Sequence, residues 1–323
     1  MEKACHGQPD LVHNHRCDGN RHRKMTYCLG LSLEEGLVLA SDSRTNAGVD
    51  YVTTYSKMHV FTPAPDRIFI ILSAGNLATT QEVVNHIQRD LDYPSGENLA
   101  SVRYLFEAAE YIGKISVDVQ LNHNQSLNQS GISGETTLLL GGQIAGQPHG
   151  LNLIYPQGNY IAASPETPYL QIGESKYGKP ALDRIIGRSL GLEQGSQLCL
   201  VSLDATTRSN ITVGAPFEVA TYKKDAFQVQ CRCKFEEDNP YLMSLRQAWN
   251  EGINSAFYSL PKFDRNKFAA QLSPELSAQI QLQQQQQATP APCPGQATSG
   301  DCLLTGPAQA GTIGTSNNQG GTS

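Results

Sequence analysis

Residues 26–42 read TYCLGLSLEEGLVLASD, and the arrangement of the rest of the chain follows from them. Two short apolar runs, Thr26 to Ser32 and Leu37 to Asp42, flank Leu33-Glu34-Glu35-Gly36, whose charges and closing glycine mark a tight turn. The reading is a β-hairpin that opens a domain. Downstream, Arg67 to Ser73 is a run of Ile, Phe and Leu closed by Ala74-Gly75, the pattern of a buried strand entering a tight loop. Helical spacing follows at 77–92 and 99–120. Four short strands at 136–143, 151–155, 159–163 and 169–173 are punctuated by Gly and Pro, and helical stretches near 175–189 and 194–209 come after them. A last strand pair, 217–222 and 227–235, precedes a helix at about 239–259 that carries the single tryptophan, Trp249. Runs of strands alternating with helix pairs predict an α+β fold: two packed antiparallel sheets with helix layers outside, not a parallel βαβ wind.

The two ends differ in composition. Residues 1–25 are polar, rich in His and Arg, and show neither strand nor helix periodicity, so no packed structure is expected there. Beyond Ser273, five consecutive glutamines at 283–287 lead into a Pro-, Gly-, Ser- and Thr-rich end, read as a disordered low-complexity tail over 273–323. The folded unit expected between them runs from Thr26 to about Leu260. A formal charge of −6 with no basic stripe argues against a nucleic-acid partner. No run of 18 apolar residues and no signal-peptide pattern is present, so a soluble, cytoplasmic protein without membrane contact is expected. The eight cysteines form no regular framework and read as reduced thiols, with Cys231 and Cys233 as packed small side chains. Cys5, His13, His15, Cys17 and His22 fit no common zinc spacing, and no metal is expected. Tyr241, Leu245, Trp249 and Phe257 read as a core or subunit-contact stripe.

Several chemistries lack their usual residues. There is no phosphate loop, no His-Glu-x-x-His, no Gly-x-Ser-x-Gly elbow and no Gly-x-Gly-x-x-Gly after a strand. What remains lies at the domain's start: Thr26 opening the first strand, Asp42 closing the second, and Lys57 shortly after. A hairpin returns the end of its second strand beside the start of its first, so Asp42 approaches Thr26, and a following extended segment can carry Lys57 between them. A threonine with a free α-amine carries its own base, since that amine titrates at about 7.7 to 8.0 and can take the proton of its own hydroxyl through a water. Lys57 would favour the neutral amine and the forming alkoxide, Asp42 would hold the ammonium, and the Gly75 amide would serve as an oxyanion donor.

These residues, Thr-Tyr-Cys-Leu-Gly-Leu at 26–31, Leu-Ala-Ser-Asp-Ser-Arg-Thr-Asn-Ala-Gly at 39–48, Lys57, and Leu-Ser-Ala-Gly at 72–75, resemble a proteasome β-type subunit. The string Ser-Asp-Ser-Arg-Thr-Asn-Ala-Gly most resembles the bacterial branch called Anbu, for ancestral β-subunit. The resemblance spans about Thr26 to Leu260, with weaker matches at 172–175 and 203–209. It implies the four-layer αββα sandwich of an N-terminal-nucleophile hydrolase, amide hydrolysis by a threonine acting on peptides or unfolded protein, and self-association into a ring or open spiral. It further implies Thr26 as nucleophile and base, Asp42 and Lys57 as its electrostatic partners, Gly75 as oxyanion donor and Ser175 as a supporting hydroxyl, with no cofactor. An unfoldase or companion enzyme is not identified by these residues.

Two departures stand out. Residues 208–212, Arg-Ser-Asn-Ile-Thr, lack the Asp that supports the terminal amine in proteasome β-subunits. Met25, not Gly, precedes Thr26, which reads as a chain whose true start is Met25 and whose residues 1–25 are absent or removed in the mature protein. A non-peptide amidase on the same fold and a non-catalytic structural ring subunit are the alternative readings.

Overall fold

The computed structural model describes residues 26–46, 52–265 and 274–288. The expected extension over 1–25 and the tail from 289 onward lie outside them. In chain order the strands are β1 (Tyr27–Ser32), β2 (Gly36–Asp42), β3 (Arg44–Asn46), β4 (Val52–Thr54), β5 (Met58–Ala64) and β6 (Arg67–Gly75), then β7 (Thr136–Ile144), β8 (Gly150–Ile154), β9 (Tyr160–Ala162), β10 (Tyr169–Gly173), β11 (Phe217–Lys223) and β12 (Cys231–Phe235). Helices α1 (Leu77–Asp92) and α2 (Leu105–Gln129) separate β6 from β7, while α3 (Lys179–Ile185) and α4 (Leu192–Ser209) separate β10 from β11, and α5 (Pro240–Tyr258) follows β12. One five-stranded antiparallel sheet has the order β10-β1-β2-β11-β12, and a second has the order β5-β6-β7-β8-β9.

The period of two along each strand sorts the apolar side chains into layers. In β1, Tyr27, Leu29 and Leu31 face outward and pack with Leu182 of α3, Leu198, Leu200 and Leu203 of α4 and Leu242 of α5. Cys28 faces the other way, with Leu37 and Leu39 of β2, and meets Ile68, Ile70 and Leu72 of β6 between the two sheets. On the far side Phe69, Ile71, Leu138 and Leu140 pack against Val83 and Ile87 of α1 and Ala108 and Ile112 of α2. The result is the expected four-layer αββα sandwich. Each of these fully buried large side chains contributes about 1.5–3 kcal/mol by leaving water.

The hairpin forms as expected, with Cys28 opposite Ser41 and Ser32 opposite Leu37. Its Gly36 adopts φ +151°, and a Cβ there would stand 1.9 Å from the Tyr222 carbonyl oxygen, so glycine is required by both backbone and space. Elsewhere the boundaries shift for local reasons. The helix expected from 99 starts at Leu105, because Asn98 Oδ1 accepts from the amides of Ala100 and Ser101 and holds a turn, while Glu107 Oε2 caps the amides of Arg103 and Tyr104. The strand expected from Phe227 begins at Cys231, since Asp225 and Phe227 take left-handed conformations and widen the turn. Strand β5 was hidden by Pro63, which is tolerated because β5 is an edge strand with a bulge between Phe61 and Ala64. Cys231 and Cys233, expected as reduced thiols, are bonded to each other on edge strand β12, their Cα atoms 6.1 Å apart at the i, i+2 spacing that puts both sulfurs on one face.

The chain from Leu260 onward is a separate unit. Within the stretch expected to be disordered, Pro274–Ala288 is a helix, α6. Its Gln, Leu, Ala and Glu side chains lose little freedom in a helix, and Pro274 at the first position suits the start. Among the described residues no helix is long and apolar enough to cross a membrane.

Two imidazoles link packing to pH. Burial lowers the pKa of His59 in β5 and of His149, whose Nε2 lies 2.7 Å from the Leu33 carbonyl at the hairpin turn. The unfolded chain protonates each at about pH 6.5 and the folded chain only at lower pH, so these residues subtract stability as pH falls below about 6.5. Urea unfolding of wild type and of His59→Gln/His149→Gln is expected to show a steeper acid decline in wild type; parallel curves would remove these residues from the acid response.

Candidate active site

At one end of the sandwich the inner face of β1 runs out at Thr26, which is 8% exposed. Its position is fixed from the neighbouring strand. The Glu174 amide donates to the Thr26 carbonyl at 2.8 Å, and Gly173 makes that approach possible: a Cβ on Gly173, at φ +81°, would lie 1.9 Å from the same oxygen.

Asp42, the last residue of β2, is fully buried and opposes Tyr27. Its Oδ1 accepts from Lys57 Nζ at 2.6 Å and from the Tyr27 amide at 3.0 Å, while Oδ2 accepts from the Gly214 amide at 3.4 Å. Burial pushes the Asp42 carboxyl above its ordinary range; the Lys57 ammonium, then the Tyr27 and Gly214 amides, pull it back. Lys57, 5% exposed, also donates to the Arg44 carbonyl at 2.8 Å, and its own carbonyl accepts from the Ser73 amide at 3.1 Å. It therefore spans from the edge of the second sheet to the end of the first. Asp42, Lys57 and the start of β1 come together, as their positions in the sequence predicted.

Gly75 ends β6 two residues beyond Ser73, whose carbonyl meets Cys28 Sγ across the sheets at 3.5 Å. It is exposed, takes φ +124°, and leads into Asn76, which caps α1 by accepting from the Thr79 amide. Ser175 is half-buried just after β10, its amide donating to the Gly173 carbonyl at 3.1 Å and its carbonyl accepting from Gln171 Nε2 at 3.2 Å. It precedes α3 by four residues and does not cap it.

Sequence reasoning missed several neighbours. Arg44 donates from Nη1 to the Ile211 carbonyl at 2.7 Å and packs so closely on Gly214 that a Cβ there would lie 2.3 Å from the guanidinium carbon. Asn210 Nδ2 donates to Glu174 Oε2 at 3.0 Å. Arg44, Glu174, Asn210 and Ile211, with Tyr177 and Arg208, line a pocket of about 520 Å³. Position in a loop gave Asn210 and Gly214 no signal; Arg44 was visible only as part of the motif. On β2 and β3, Ser41, Ser43 and Thr45 bury hydroxyls that have no partner among the described residues. Burial drives the Cys28 thiol well above its usual range, so Cys28 stays protonated. Among the described residues no cluster of three or more His, Cys, Asp or Glu is placed to hold a metal.

No protein-family model and no curated protein matches the chain. Solved structures do. Anbu (ancestral beta-subunit) from Yersinia bercovieri is 44% identical, with a TM-score of 0.69, and the match covers 74% of this chain and 99% of that one. A helical assembly of the Anbu complex from Pseudomonas aeruginosa is 39% identical at a TM-score of 0.69, covering 75% and 99%. An Anbu (Gly-1) mutant from Hyphomicrobium sp. strain MC1 is 38% identical at 0.68, covering 74% and 99%.

Replacing Asp42 with Ala strands a buried ammonium. Unfolding in urea is expected to show a loss of about 3–5 kcal/mol, partly recovered in Asp42→Ala/Lys57→Met. A loss below about 1 kcal/mol would mean that Lys57 is solvated elsewhere and that the pair does not organise this end of the fold.

Proposed function

The chain belongs to the Anbu (ancestral β-subunit) family, and on that premise we propose that it is a cytoplasmic threonine-type peptidase that hydrolyses amide bonds of peptides or unfolded protein through Thr26. The observation that carries the proposal is the buried Asp42–Lys57 pair, closed at 2.6 Å and tied to the Tyr27 amide one peptide unit from the nucleophile. A fully buried charge pair is costly to assemble unless its remaining bonds are met, and in this reading it serves the alkoxide that forms on Thr26.

In this reading the active protein begins at Thr26, residues 1–25 are no part of it, and 26–260 is the hydrolase domain. The α-amine takes the Thr26 hydroxyl proton through a water, Oγ attacks the amide carbonyl, and the ammonium returns the proton to the leaving amine. A second water, deprotonated by the same amine, hydrolyses the acyl ester and frees Thr26. Lys57, held by Asp42 and the Arg44 carbonyl, turns its third donor to the alkoxide; the Gly75 amide meets the oxyanion; the Ser175 hydroxyl supports the amine. Self-association accompanies this chemistry, as a relative forms a helical assembly.

Intact mass and N-terminal sequencing of untagged protein are expected to give a chain starting at Thr26. Its hydrolysis of fluorogenic peptide amides should fall at least about 10³-fold in Thr26→Ala, with the fold and assembly size unchanged. A mature chain that retains Met25, or a Thr26→Ala protein as active as wild type, would sink the reading and favour a structural subunit. Release from simple carboxamides but not from peptides would instead identify a non-peptide amidase.

A further inference from the structure

Asp42 has little capacity left for a second cation. Its Oδ1 serves Lys57 and Tyr27, and its Oδ2 faces the Gly214 amide. Other nearby carboxylates are also engaged: Glu218 with Arg232, and Asp204 with Arg208 and Arg246. An α-ammonium at Thr26 needs a counter-charge from elsewhere.

Glu174 stands directly across from it. Tyr27 opposes Gly173 in the last rung of the β1–β10 ladder, and just beyond it the Glu174 amide donates to the Thr26 carbonyl at 2.8 Å. That bond sets the Thr26 main chain directly beside Glu174. The carboxylate itself is held. Its side chain is 13% exposed, Oε2 accepts from Asn210 Nδ2 at 3.0 Å, and Oε1 is 3.6 Å from the exposed Lys176. Asn210 is oriented in turn, its Oδ1 accepting from the Thr212 amide at 3.0 Å and the Thr212 hydroxyl at 2.6 Å.

We infer that Glu174, oriented by Asn210, is the positioning residue for the Thr26 α-amine: it balances the ammonium and aims the nitrogen toward the hydroxyl it must deprotonate. The inference rests on the proposed Thr26 chemistry. It divides the two carboxylates by role, with Asp42 serving Lys57 and Glu174 serving the amine. A carboxylate beside an ammonium favours the charged form and raises its pKa. The other charged or titratable groups at this corner are Asp42 in β2, Arg44 in β3, Lys57 before β5, Lys176 and Tyr177 before α3, and Arg208, paired with Asp204, in α4. Removing Glu174 leaves the Lys176 cation unopposed there, so the amine's pKa must fall.

The test reads the amine directly. In protein beginning at Thr26, the rate of α-amine acetylation by acetic anhydride is followed by mass spectrometry against pH. Glu174→Gln is expected to lower the apparent pKa by at least about half a unit and Asn210→Ala by less, with Glu174→Asp partly restoring the wild-type value and Lys176→Gln raising it slightly. The acid limb of kcat/KM should move to lower pH by the same amount, with a lower kcat. An amine pKa unchanged in both Glu174→Gln and Glu174→Asp overturns the inference. Since labelling needs no turnover, an inert protein with a shifted amine would count against the hydrolase reading alone, and an active enzyme with an unmoved amine against this inference alone.

Discussion

A carboxylate and an ammonium 2.6 Å apart, almost entirely out of water, set the constraint around which one end of this fold is arranged. Burying either ion alone would cost several kcal/mol, and mutual attraction repays that only when the remaining donors and acceptors are met. Here they are met by backbone from separate parts of the chain: the Tyr27 amide at the start of β1, the Gly214 amide ahead of β11, and the Arg44 carbonyl in β3. Asp42 belongs to one sheet and Lys57 leads into the edge strand of the other. The pair thus ties the two sheets together at the end where Thr26 stands, and errors in its geometry become errors at Thr26.

The inner face of the first sheet changes character toward that end. Along β2 and into β3 every second side chain runs Leu37, Leu39, Ser41, Ser43, Thr45. The first two fill the central core, and the last three carry buried hydroxyls. A sandwich closed by hydrocarbon throughout would hold the sheets together as firmly and leave nothing to do chemistry. The switch from leucine to hydroxyl marks where packing stops being the purpose of the strand, because each buried hydroxyl without a partner has a cost that packing alone does not offset.

Much of this was legible in the sequence because it was local or periodic. The hairpin over 26–42, the helix at Leu77–Asp92, β10 at Tyr169–Gly173 and the meeting of Asp42 with Lys57 all follow from short-range signals. What escaped depends on distant contacts. Strand β5 carries a proline that an edge position forgives, and only the sheet order shows that it is an edge. Asn210 sits in a loop far from Thr26 in sequence, and its link to Glu174 exists only once α4 has packed against the first sheet. Glu174 itself reads as an ordinary polar residue between a strand and a helix; its amide's bond to the Thr26 carbonyl, not its type, puts it beside Thr26.

The two acidic residues at this corner differ in the property that decides what each can do. Asp42 is sealed and bonded on both oxygens, so it acts as a fixed charge that holds Lys57 in one place. Glu174 keeps a partly open side chain, a neutral amide on one oxygen and only a distant, solvated lysine near the other. A group that must accept and release a changing charge during turnover has to sit where reorganisation is cheap, whereas a group that must not move belongs where it is expensive. Burial therefore sorts the carboxylates: the immobile one anchors the lysine, and the adaptable one suits the role proposed for it beside the Thr26 amine.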